Sequence, residues 1–299
     1  MKKGKGYRSL TMPGKMFWFA APAFLMYFIF WVFPVFQLFC YSVTDFNGVN
    51  QNYNYVGFKN YITLAKEGTL RNAVSNTLIY TVVLTVAVNV LALFLAMLLN
   101  SKIRGKGIYR TGVYFPTLFS AIVIGFIWSY VYMPGDGMIA GLMNLAGLNG
   151  DSFNVLAGFK TALYAIIGVD IWKHTGTTMI IYLAGLQTVD TSLIEAGQID
   201  GCSGWQMFGR VKLPLISATV TINVVLSVIN GLKAYDYVFV MTNGGPGKST
   251  NTLMYAVYKL AFTEQLMGKS AALSVVAFVV IIAITVTMLI FMNKREVEL

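Results

Sequence analysis

Charge is scarce in this sequence. Only 11% of its 299 residues are Asp, Glu, Lys or Arg, and the acids number 12. A soluble domain carries about 25% charged residues, so the composition excludes an ordinary water-soluble domain. One histidine, His174, argues against a His-based metal site or catalytic triad. Two cysteines, Cys40 and Cys202, provide neither a disulfide framework nor a thiolate metal site. What is abundant is apolar surface: 57% of the residues are hydrophobic and the mean hydropathy is +0.65. These values describe a membrane protein.

Six apolar stretches reach the roughly 20 helical residues that a bilayer requires: residues 17–41, 78–99, 113–133, 162–186, 214–235 and 272–292. The first follows a basic leader, as a signal peptide does. Its apolar run is too long for such a peptide and no small-residue cleavage site follows, so it reads as a span. The expected organisation is an all-α membrane domain over residues 17–292, with a basic tail at 1–16 and a short tail at 293–299.

The net charge of +10 would suit a nucleic-acid binder, but the placement of the cations says otherwise. With both termini inside, the inner segments 1–16, 100–112, 187–213 and 293–299 hold 13 Lys/Arg in 63 residues. The outer loops 42–77, 134–161 and 236–271 hold 7 in 100. Cytoplasmic loops are enriched in Lys and Arg, so the basic excess orients the chain and no nucleic-acid surface is implied. In the first outer loop, Phe58, Tyr61, Ile62 and Ala65 recur at helical spacing and predict a short helix on the outer surface.

The inner loop 187–213, "QTVDTSLIEAGQIDGCSGWQMFGRVKL", has structure of its own. Ser192 and Glu195 form a capping-box pattern that predicts a helix start at Ser192. Leu193, Ala196 and Ile199 give that helix an apolar face, and Gly201 stands where it would end in a left-handed residue. Ser203 caps a second short helix with Met207, Phe208 and Val211 inward, and Pro214 reads as an early residue of the fifth span.

This loop carries a resemblance. "EAGQIDG", nine residues, then "VKLP" is similar to the EAA loop of the permease subunits of binding-protein-dependent ABC importers, whose pattern is E-A-A-x-x-x-G, nine residues, I-x-L-P. Glu195, Ala196, Gly201, Leu213 and Pro214 match, while Gly197 replaces the second Ala and Val211 the Ile. "SVTDFNG…YVGFKNY" and "AYDYVFVMTNGGPGKSTNTLMYAVYKLAF" resemble further stretches of sugar-uptake permeases, in particular the first, maltose-type permease of the pair. The resemblance implies a type I importer architecture of six transmembrane helices in a bacterial inner membrane. It implies four kinds of partner: membrane lipid, a second permease, two copies of a cytoplasmic ABC ATPase and an extracytoplasmic solute-binding protein. ATP and Mg²⁺ would be bound by the ATPase, and this chain would be non-catalytic. Glu195, Ala196, Asp200 and Gly201 would touch the ATPase. The segment "TNGGPGKST" at Thr242–Thr250 ends like a phosphate-binding loop, but Thr242 stands where the opening glycine belongs and Pro246 removes a donor, so it reads as an outer turn.

Polar residues inside spans are costly. Thr219, Asn223, Ser227 and Asn230 share one face of the fifth span, and either line a solute path or bind neighbouring helices. In the fourth span, Asp170 can pair with Lys173 or His174, which offsets the ~3 kcal/mol of a lone charge at mid-membrane. Trp172 and Tyr235 offer ring faces to a sugar or anchor their helices. All six arginines lie outside the spans, which disfavours an anionic solute such as glycerol phosphate, and the single acid Asp170 disfavours a polyamine. A neutral mono- or oligosaccharide is the expected cargo. A free-standing secondary transporter using Asp170, Lys173 and His174 as a proton relay is the alternative of another class, and it leaves the inner loop without a purpose.

Overall fold

The computed structural model describes residues 13–50, 52–101 and 103–293. The ends of the two expected tails, 1–12 and 294–299, lie outside the described residues. Every long element is helical. In chain order these are α1 Pro13–Tyr27, α2 Phe33–Ser42, α3 Lys59–Lys66, α4 Thr69–Asn100, α5 Lys106–Tyr114, α6 Ala121–Val131 and α7 Met138–Leu145. There follow α8 Thr161–Gln187, α9 Thr191–Ile199, α10 Gly204–Gln206, α11 Leu213–Leu215, α12 Ser217–Leu232, α13 Leu253–Tyr258 and α14 Met267–Asn293.

All six apolar stretches fold as helix, but not all as straight rods. Among the described residues, three helical segments are by themselves long and apolar enough to cross a membrane: Phe19–Ser42, Leu70–Asn100 and Met267–Met292. Two more become so only as bent pairs, Lys106–Leu118 with Ala121–Val131 at 99°, and Gly204–Leu215 with Ser217–Leu232 at 76°. The expected third span is therefore broken in its first third. Pro116, in the turn Phe115–Leu118, has no N–H to continue the ladder. Phe119 and Ser120 then run extended, and the Ser120 hydroxyl accepts from Val123 N at 3.3 Å to start α6.

The fifth span likewise starts later than its apolar run. Pro214 belongs to the helix of the inner loop, behind the π-helical turn Met207–Lys212, and the axis turns at Ile216 before α12 begins. α8 is the sixth segment. It has the length of a span but not the apolarity of the other three. Protein surrounds it instead: Ile166, Ile167, Val169, Met179 and Tyr182 are buried against α4 and α12. Two glycines set those distances. A Cβ on Gly231 of α12 would stand 2.6 Å from Thr81 Cα of α4, and one on Gly185 of α8 would meet Thr219 Oγ1 of α12 at 2.3 Å. Small residues let membrane helices approach this closely.

The predicted helix of the first outer loop is α3. Its buried residue is Leu64, which faces α4 and α14, while Phe58 and Ile62 stay exposed. Lys269 of α14 pairs with Glu67 beside it. The Asp45 carboxyl, held by the Asn54 backbone N–H at 2.6 Å, lies below the usual carboxylate range.

Candidate functional site

The inner loop is a helix–turn–helix, and its turn chemistry is explicit. α9 starts earlier than the expected Ser192 cap. Asp190 is the N-cap, its carboxylate accepting from Ser192 N at 2.9 Å, and that bond holds the Asp190 carboxyl below its ordinary range. Asp caps as well as Ser and adds a negative charge at the positive helix end, so it outcompetes the residue two positions on. The capping box belongs instead to the second helix: Ser203 Oγ accepts from Gln206 N at 3.4 Å and Gln206 Oε1 from Ser203 N at 2.8 Å.

Between them, Gly201 has φ +75°, as expected. Cys202 N donates to Gly197 O at 3.0 Å and Gly201 N to Gln198 O at 3.1 Å, which is the full pair of bonds of a Schellman turn. Gly197 is buried under Met207, whose Cε would stand 2.7 Å from a Cβ placed there. The glycine that departs from the E-A-A pattern thus makes room for this methionine. Phe208 and Val211 are half-buried beside it. Glu195, Ala196, Asp200 and Gly201 are all exposed. So are the apolar Leu193 (44%), Ile199 (87%) and Trp205 (84%), which project away from the bundle.

The polar stripe of α12 divides. Asn223 and Ser227 are buried, and Asn230 is exposed. Asn223 Nδ2 donates to Thr178 O of α8 at 3.4 Å, and Ser227 Oγ to Asn223 O at 2.8 Å. Ser227 Oγ also accepts from Asn89 Nδ2 of α4 at 3.1 Å, and Tyr182 of α8 donates to Asn89 Oδ1 at 2.6 Å. Three helices are thereby tied at one level. Asn89 and Tyr182 carried no signal beyond being polar atoms in apolar runs. Beside this tie, His174, Thr177, Thr178, Asn223, Ser227 and Asn230 line a cavity of ≈ 50 Å³. It has room for a few waters and falls short of the roughly 300 Å³ of a small-ligand pocket.

Asp170 is paired with His174, not with Lys173. His174 Nδ1 lies 2.6 Å from Asp170 Oδ1, and Tyr80 of α4 donates to Oδ2 at 2.7 Å. The same Nδ1 lies 3.2 Å from Asp170 O, and the imidazole lines the cavity. Trp172 and Tyr235 stand apart from this cavity. Trp172 is edge-on to Trp128 at 5.6 Å and lines a groove with Phe94 and Pro116. Tyr235 stacks on Phe239 at 5.5 Å and leans on Tyr258.

The segment Thr242–Thr250 is a pinned turn. Thr242 and Thr250 share a hydroxyl–hydroxyl bond at 2.8 Å, and Thr250 Oγ1 donates to Gly245 O. Asn76 of α4 bridges Lys248 O and Asn251 O. The N–H groups of Gly245 and Ser249 are spent on Thr242 O and Pro246 O, so they do not face a phosphate.

Residues 89–294 match the family described as "Binding-protein-dependent transport system inner membrane component". The chain is 33% identical over its whole length, and over 99% of the relative's, to the "Probable starch degradation products transport system permease protein AmyD" of Thermoanaerobacterium thermosulfurigenes. It is 29% identical, covering 96% of this chain and 98% of the relative, to the "sn-glycerol-3-phosphate transport system permease protein UgpA" of Agrobacterium fabrum. Among solved structures, a chain of a bacterial alginate ABC transporter, in complex with an alginate pentasaccharide-bound periplasmic protein, superposes with a TM-score of 0.80 at 22% identity, over 92% of both chains. That likeness is one of fold.

Proposed function

Since the chain belongs to the family of binding-protein-dependent transport system inner membrane components, a type of multi-pass membrane permease, we propose that it is one of two permeases of an ATP-driven importer of sugars. A separate cytoplasmic ATPase docks on the loop at Glu195, Ala196, Asp200 and Gly201, and a solute-binding protein delivers the cargo to the outer face. Both termini are cytoplasmic, in a bacterial inner membrane.

One observation carries this reading. The loop is held by hydrogen bonds at its caps and turn, yet Leu193, Ile199 and Trp205 are presented outward in a segment whose cations favour the inner side. A linker resting on headgroups needs no Schellman turn and no capping box. An ATPase groove that receives the helix–turn–helix accounts for both. Hydrolysis at the ATPase then moves α9, and through the Gly197–Met207 contact the bend at Ile216 and α12, which carries Asn223, Ser227 and Asn230.

The solute path lies along α12 and α8, with the second permease closing the wall that this chain leaves open. Asn230 and His174 meet the cargo. Asn223 and Ser227 hold the wall by their interhelical bonds, and Trp172 and Tyr235 flank it. Neutral hydroxyls suit these amides and the imidazole. The UgpA relative supports a second reading, a phosphate-bearing solute; for it, Lys173 is the cation on α8. Purification of the tagged chain from its native membrane tests the assembly: an ABC ATPase and a second permease co-purify, and a chain that elutes alone and intact contradicts it.

A further inference from the structure

The first outer loop has a surface that the proposed function leaves unused. Residues 44–55 form a hairpin: Thr44 and Tyr55 pair as an antiparallel bridge, Asp45 N donates to Asn54 O at 3.1 Å, and Val56 N to Val43 O at 2.8 Å. The hairpin is seated on the outer end of α14. Gly268 N donates to Phe46 O at 2.7 Å, and a Cβ on Gly48 would stand 2.8 Å from Met267 Cγ. Asn60 of α3 holds its base, donating to Ser42 O at 2.9 Å and Thr44 O at 2.8 Å. The span Met267–Met292 has 26 residues, about 39 Å at 1.5 Å per residue, against roughly 30 Å of hydrocarbon. Its ends reach the headgroup layer, so a hairpin on the outer end lies at that level or above it.

What the hairpin presents is uncharged and chemically mixed. The one charged residue in the sequence between Thr44 and Tyr55 is Asp45. Its carboxylate is occupied by Asn54: Oδ1 accepts from Asn54 N at 2.6 Å and Oδ2 from Asn54 Nδ2 at 3.3 Å. The tip is fixed as well, with Val49 N and Asn50 N both donating to Asn47 Oδ1, at 3.1 and 2.9 Å. Tyr53 packs on Phe46 at 5.2 Å. Val49 and Tyr55 are each 76% exposed. The side-chain amides of Asn50 and Asn52 are exposed too, and among the described residues they make no hydrogen bond.

Three occupants compete for such a surface. Anionic headgroups are drawn by cations, and the hairpin has none. A free sugar needs a concave wall that covers most of its surface, and side chains that are themselves three-quarters exposed form no such wall. A folded protein is met by apolar and aromatic anchors, by amides that bond without charge and by a backbone fixed beforehand. The hairpin has all three. We propose that it is the docking contact that this chain offers to the solute-binding protein, with Val49 and Tyr55 entering apolar recesses of that protein and Asn50 and Asn52 bonding its surface. The proposal rests on the importer reading above. Through the Gly268–Phe46 bond, a protein seated on the hairpin bears directly on α14.

The test uses the assembled complex in lipid nanodiscs and the sugar-loaded solute-binding protein purified from the same cells. ATP hydrolysis is followed against binding-protein concentration for the parent and for the Val49→Ser, Tyr55→Ser double variant. Loss of both anchors raises the half-saturating concentration about tenfold or more and keeps the rate at saturation. An unchanged half-saturating concentration overturns the proposal, and so does a fall in the saturated rate alone. If the double variant does not assemble, a Tyr55→p-benzoylphenylalanine complex decides. Photolysed with the purified binding protein present, it cross-links to that protein; a cross-link to lipid or to the second permease in its place, or no cross-link, overturns the proposal. A parent complex without an ATPase, or one that the binding protein does not stimulate, defeats the importer reading and this contact with it. A stimulated parent with an indifferent variant defeats this contact alone.

Discussion

Tyr80 of α4 donates its phenolic hydrogen to Asp170 Oδ2 of α8 at 2.7 Å, and both side chains are buried. His174 Nδ1 approaches the other carboxylate oxygen at 2.6 Å, so a phenol and an imidazole flank the acid of the fourth span. That arrangement gives a first prediction. Tyr80→Phe removes one donor from a buried carboxylate, which costs ~1–3 kcal/mol. Thermal unfolding of the purified chain in detergent should shift down accordingly, while Lys173→Gln should shift it little. An unchanged midpoint in Tyr80→Phe would show that the carboxylate does not depend on this bond.

The second prediction concerns the inner turn. Gly201 at φ +75° closes two Schellman bonds. Gly201→Val places a β-branched residue in the left-handed region, at a cost of about 1–2 kcal/mol or more. ATPase association with membranes containing the variant should fall, with the permease still inserted at parental levels. Gly201→Asn, which tolerates that conformation, should retain most of it. Equal association for all three chains would leave the loop no coupling role.

Asn223 and Asn230 should behave differently, although both lie on the same stripe. Asn223 is 1% exposed and bonded to Thr178 O, whereas Asn230 is exposed beside His174. Asn223→Leu should reduce the amount of folded complex. Asn230→Leu should leave that amount unchanged and depress sugar uptake per complex, because an unmade hydrogen bond to a desolvated cargo costs ~1–3 kcal/mol. Parental uptake per complex in Asn230→Leu would move the solute contact away from this end of α12.

For the outer turn, Lys248→Ala should not alter nucleotide binding by the complex. Asn76→Ala should destabilise the chain, because the Asn76 amide donates to both Lys248 O and Asn251 O. Loss of nucleotide binding through Lys248→Ala would restore the phosphate-loop reading that Thr242 and Pro246 argue against.

Much of this was legible in the residues. The helical elements follow from hydrophobic run length, and Gly201 and Ser203 announce the turn and cap of the inner loop by residue type and spacing. The 99° and 76° bends were not legible, because hydropathy counts apolar residues without regard to direction; Pro116 and Pro214 mark the places only once the neighbouring dihedrals are known. The cap at Asp190 was hidden by a better-looking pattern at Ser192 and Glu195. At the site, the stripe of α12 was visible as a period. Its division into bonded Asn223 and Ser227 and open Asn230 depends on Asn89, Thr178 and Tyr182, which lie up to 138 residues away in sequence. Partners at that distance leave no local signature.

The central claim is that this chain moves a solute only when a separate ATPase acts on the α9–α10 loop. The most direct measurement is sugar uptake into proteoliposomes containing the purified complex and a sugar-loaded binding protein, with ATP hydrolysis followed in parallel, for the parent and for Glu195→Lys. The account predicts ATP-dependent uptake that Glu195→Lys abolishes or uncouples from hydrolysis, with the complex still assembled. Uptake by this chain alone, without ATP and driven by a proton gradient, would contradict it.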